Sequence, residues 1–176
     1  MEEFPLQIIA GTLLFIWLSA CMVFDLRSRQ IPAALTLVPL ALAAVWRLFL
    51  GGWILVLLVA ALVLISDIPS TRWRIPLASL FALSLLFASG NTEMVYGILV
   101  IAAIWVMWEL GVTGGADAKI IITLVLLFGN GLLYVPIVLA GGVQGLIGLI
   151  ARRKSIPFTI SITLGTAVWL WMVAGH

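Results

Sequence analysis

Asp25 and Asp117 each stand where a long apolar stretch meets a short polar turn. The first runs into Leu26-Arg27-Ser28-Arg29-Gln30-Ile31-Pro32, and the second lies between Gly114-Gly115-Ala116 and Ala118-Lys119. A carboxylate held near lipid costs about 2.5 to 3.5 kcal/mol on insertion scales, so an acid kept there is a candidate for chemistry by default. Two carboxylates brought together cannot both ionise comfortably and share a proton. The ionised member can then take a proton from water while the protonated one polarises a carbonyl, which is the chemistry of aspartyl proteolysis without a covalent intermediate. Gly114-Gly115-Ala116 keeps side-chain bulk away from the backbone beside Asp117, so an unwound peptide could lie close to the acid and neighbouring helices could approach.

The rest of the chain must place these acids in a bilayer. Of its 176 residues 64% are hydrophobic and only 9% charged, and the mean hydropathy is +1.29. Soluble domains of this size run nearer half apolar, so the composition predicts an integral membrane protein. Cys21 is the single cysteine, which excludes an intrachain disulfide framework, and no Cys/His cluster with zinc spacing is present. Neither a metal nor another cofactor is expected. The formal charge of +2 is too small, and too dispersed, to argue for nucleic acid. Glu2 and Glu3 occupy the place where a cleavable signal would carry its basic region, so the first apolar run is expected to persist as a helix.

Apolar runs separated by charge, Gly or Pro give eight segments: 6–24, 31–49, 53–66, 75–90, 95–112, 118–128, 132–150 and 156–174. A span needs about 20 residues, so the short third and sixth segments leave six to eight true spans. The expected fold is an all-α polytopic transmembrane helix bundle, forming a single domain over 1–176. Pro32 suits a helix's first turn, where a missing N–H costs nothing. Gly129-Asn130-Gly131 breaks the chain after the sixth segment.

Alternate loops carry very unequal positive charge. Arg27, Arg29, Arg72, Arg74, Lys119, Arg152, Arg153 and Lys154 fall on one side and Arg47 alone on the other. The positive-inside rule places the larger set in the cytoplasm and the N-terminus outside. Asp25 and Asp117 then share one depth at cytoplasmic helix ends.

On these residues the chain resembles a known family. Asp25-Leu26-Arg27-Ser28-Arg29-Gln30-Ile31-Pro32 looks like the first-aspartate motif of the type IV prepilin and preflagellin peptidases, and Gly114-Gly115-Ala116-Asp117-Ala118-Lys119 looks like their GxGD motif. Ser155-Ile156-Pro157-Phe158, followed by Gly165, resembles their terminal segment. Ala33 stands where the family usually has Asn, and Ala116 where it has the second Gly of GxGD. The resemblance implies a membrane aspartyl endopeptidase of the prokaryotic cell membrane, with Asp25 and Asp117 as its dyad. Gly114, Gly115, Ala116, Lys119 and Pro32 would shape the substrate site. The partner would be a prepilin-like or archaellin-like precursor, cut between its basic leader and its hydrophobic helix. The loop that carries a zinc site in the large bacterial members, which also methylate their product, is absent from this chain, so the resemblance implies cleavage alone.

Each residue also has a plainer reading. Asp25 could be an interfacial acid paired with Arg27 or Arg29, and Asp117 could cap a helix starting at Ala118, a role compatible with catalysis. Lys119 reads as a topology anchor that would also favour ionised Asp117. Glu109 reads as a snorkelling interfacial chain, with a third site acid as the alternative. Asp67 reads as solvated, and Cys21, one helical turn before Asp25, as a small buried thiol. Arg152, Arg153 and Lys154 read as lipid-side anchors. Three rival functions stay open. A small ion-coupled transporter would hold its acids nearer the bilayer midplane, commonly in repeated halves. A presenilin-like protease shares GxGD but sets its first acid inside a helix after Tyr, whereas here Phe24-Asp25 is expected to open a basic loop. The third rival is a catalytically inactive assembly protein.

Overall fold

The computed structural model describes residues 3–150 and 157–174, and among them the chain is all α-helix with one 3-10 turn and no strand. In order they are α1 (Glu3–Ser28), α2 (Ala33–Phe49), α3 (Trp53–Ser66), α4 (Thr71–Ala88), α5 (Thr92–Glu109), α6 (Gly115–Phe128), the 3-10 turn Gly131–Leu133, α7 (Tyr134–Ile150) and α8 (Phe158–Ala174). Each expected segment corresponds to one of these helices. Arg152, Arg153, Lys154, Ser155, Ile156, Glu2 and His176 lie outside the described residues.

Length and apolarity separate the helices. The stretch Ala10–Ser28 of α1 and the whole of α5 are long and apolar enough to cross a membrane by length and composition. The shorter apolar helices fall below that test, so the six to eight spans expected from sequence reduce to two on this criterion. Large apolar side chains such as Phe49 and Phe87, 84% and 86% exposed, cover the surface. An apolar surface on this scale calls for lipid or a partner protein, and the two long helices support association with a membrane.

The chain divides into two compact units, residues 1–35 with 135–176 and residues 36–134. In the first, α1 packs on α8, burying Leu18 and Cys21 of α1 and Ile162 of α8. The approach of α7 to α8 is set by Gly165, where a Cβ would fall 2.5 Å from the Ile137 Cα. A proline explains a second tie. Pro39 sits inside α2 without an N–H, which orphans the carbonyl four residues earlier. That carbonyl, of Leu35, accepts a 2.8 Å hydrogen bond from the Trp17 indole of α1.

In the second unit α5 is the hub, packed against α3, α4, α6 and the 3-10 turn. Ala118 and every residue from 120 through 126 of α6 are buried, as expected of a helix that is apolar all round. At 14 residues it rises only about 21 Å, which a helix enclosed by protein can afford.

The Trp105 indole donates to Ser66 Oγ at 3.1 Å, joining α5 to α3. Gly111 (φ +70) closes α5. Its N–H bonds the Trp108 carbonyl and that of Val112 the Met107 carbonyl, a left-handed helix end that favours glycine. The chain then turns directly into α6.

Candidate functional site

Asp25 lies in the last turn of α1, because the helix continues through Ser28. This corrects the expectation that Phe24-Asp25 opens a loop, and it removes that contrast with the presenilin-like proteases. The helix ends where Arg29 takes a left-handed conformation (φ 53) and its N–H bonds the Asp25 carbonyl at 3.0 Å. The side chain of Asp25 is half-buried, and its Oδ2 accepts a 2.7 Å hydrogen bond from Thr159 Oγ1, 134 residues away in the first turn of α8. Thr159 is itself buried, at 2% exposure. Cys21, one turn earlier, is fully buried and free.

Asp117 is the third residue of α6, whose N-cap is Gly114. It is therefore not the N-cap of a helix beginning at Ala118, because Gly115 and Ala116 are already helical. It still serves the helix start, since an acid in the first turn faces the positive end of the macrodipole. Its carboxylate folds back over Gly114, where an added Cβ would lie 3.1 Å from Oδ2. At Gly115 an added Cβ would lie 3.1 Å from the Trp108 indole nitrogen. Each glycine of Gly114-Gly115 thus leaves room for one neighbour, the first for the acid and the second for the ring that packs α5 against the start of α6.

Ala116 and Lys119 are half-buried, and the Lys119 carbonyl accepts the Thr123 hydroxyl at 2.7 Å. Pro32 is exposed and sits one residue before α2, with its carbonyl accepting the Leu35 N–H at 3.0 Å. Asp67 is exposed, as read from sequence.

Glu109 is not a snorkelling side chain. Its side chain is 6% exposed and pairs at 3.1 Å with Arg74, whose Nε also bonds the Ile68 carbonyl at 2.8 Å. The pair braces α4 to the end of α5, five residues before Gly114. The sequence reading missed both this pair and Thr159. One signal was available for the threonine: hydroxyls at 159, 163 and 166 recur at helical spacing along an otherwise apolar segment.

Asp25 therefore belongs with Thr159 in the first unit, and Asp117 with Gly114, Gly115, Lys119 and the Trp108 ring in the second. Among the described residues no group of three or more His, Cys, Asp or Glu side chains is placed to hold a metal. Comparison with protein-family models, with curated proteins and with solved structures gave no match.

Proposed function

We propose that this chain is a polytopic membrane aspartyl endopeptidase of the prepilin or preflagellin peptidase type. It removes the basic leader of a prepilin-like or archaellin-like precursor at the cytoplasmic face of a prokaryotic cell membrane. The observation that carries the reading is the setting of Asp25. A carboxylate in the last turn of a helix opposes the macrodipole, yet this one is held by a hydroxyl delivered from α8. Such placement serves no need of α1 itself. Gly114 adds support, because it carries no side chain where the Asp117 carboxylate folds back over it.

In this reading the two carboxylates address one water. The ionised acid accepts a proton from it, the hydroxide so formed adds to the scissile carbonyl carbon, and the protonated acid hydrogen-bonds the carbonyl oxygen. Collapse breaks the C–N bond and delivers a proton to the leaving amine. Helices α3 and α6, too short to span alone, are carried by the longer α5 against which they pack. A Lys- and Arg-rich leader would stay on the cytoplasmic side with most of the protein's own basic residues.

Co-expression with a precursor that joins a Lys/Arg-rich leader to a hydrophobic helix tests the proposal by gel shift. Wild type should release the leader, while Asp25→Ala and Asp117→Ala should accumulate in membranes without cleaving it. Cleavage by both variants would refute the assignment.

A further inference from the structure

Threonines inside α-helices commonly turn the hydroxyl back onto the carbonyl four residues earlier. Among the described residues Thr123 does so onto Lys119, Thr163 onto Thr159 and Thr166 onto Ile162. Thr159, the second residue of α8, has no earlier turn of its own helix to bond, and its hydroxyl donates instead to another helix, onto Asp25 Oδ2. Its backbone is held in place from three sides. The Gln144 amide of α7 donates to the Pro157 carbonyl at 2.7 Å, and Gln144 Oε1 accepts the Ser161 hydroxyl. The Phe158 ring lies over Gly141, where a Cβ would come within 2.8 Å of it. Thr163 closes the group by bonding the Thr159 carbonyl at 2.9 Å. A buried hydroxyl on so fixed a backbone has little freedom to follow the carboxylate, so the carboxylate is oriented by the hydroxyl.

Resting on the peptidase reading above, we infer that Thr159 is the positioning residue of Asp25: its hydroxyl fixes the orientation of the carboxylate that addresses the water. The hydroxyl engages one oxygen of the carboxylate, Oδ2. Substrate need not touch Thr159, so its loss should act on the chemical step and not on binding.

The test uses the full-length protein in membranes with the designed precursor. Thr159→Val keeps the branched shape and removes the donor; kcat should fall about 10- to 100-fold, the scale of a misplaced reacting group, with KM within about twofold. Thr159→Ser restores the donor and should recover near-wild-type kcat. Should the valine variant not accumulate, Thr159→Ala must show the same loss. Unchanged kcat in the donor-free variants, or a serine variant as impaired as valine, overturns the inference. A second readout needs no proteolysis: modification of Asp25 by dicyclohexylcarbodiimide, followed by peptide mass spectrometry. Asp25 should be labelled severalfold faster in Thr159→Val than in wild type or Thr159→Ser, because its Oδ2 is uncovered, and equal rates overturn the pairing. If wild type leaves the precursor uncut, the peptidase reading fails, and the labelling rates alone decide the role of Thr159.

Discussion

Asp25 and Asp117 are chemically identical side chains at opposite ends of their helices, and the contrast separates what a helix needs from what it merely tolerates. Asp117 occupies the first turn of α6, where a carboxylate gains about 0.3–1 kcal/mol from the macrodipole. Local physics alone accounts for an acid there. Asp25 occupies the last turn of α1, where the same term has the opposite sign. The Thr159 bond decides its balance, since a hydrogen bond to a charged group contributes about 1.5–3 kcal/mol, more than the dipole removes. Asp25 is thus held by a bond from another helix against local preference, whereas Asp117 stands where its own helix favours an acid. An acid kept in place against its own helix is the stronger pointer to function.

Three substitutions probe that contrast through stability, read as thermal or denaturant unfolding in detergent. The largest effect should come from Glu109→Ala, which leaves Arg74 without its counter-ion beside the corner leading to Asp117. A loss of about 3 kcal/mol is expected, at the low end for buried pairs because Arg74 is 23% exposed. A loss below about 1 kcal/mol would mean that the corner does not depend on the pair.

Asp25→Ala should cost about 1–2 kcal/mol, the penalty of stranding the buried Thr159 hydroxyl less the dipole relief. In a Thr159→Val background that cost should vanish, because the two groups share one interaction. Persistence of the full cost would break the proposed tie. The smallest effect should be Asp117→Ala, about 0.3–1 kcal/mol, and unchanged by Thr159→Val. Equal coupling of both acids to Thr159 would erase the distinction between them.

Much of the fold was legible because apolar runs and their breakers are local signals. The third segment, read as 53–66, is α3 to the residue, bounded by Gly51-Gly52 before it and by Asp67 and Pro69 after it. The sixth was read three residues short at its start, because Gly114-Gly115 looked like an extended turn, whereas Gly115 already belongs to the helix. The seventh splits, since Asn130 caps a separate 3-10 turn through its side chain, which accepts the Leu132 N–H at 2.9 Å. The two acids and their glycines were visible as types at a spacing. The long-range pairs were not: Arg74 and Glu109 are 35 positions apart, and Thr159 lies 134 from Asp25. No periodicity links such positions, and only the folded chain pairs them.

The central claim is that these two differently held acids act as one catalytic unit, and a double-mutant comparison of leader cleavage tests it most directly. Asp25→Asn, Asp117→Asn and the double variant should lose kcat/KM to the same residual level, because groups acting on one water are strongly non-additive. Losses that multiply in the double variant, or cleavage that survives either single substitution, would contradict the account.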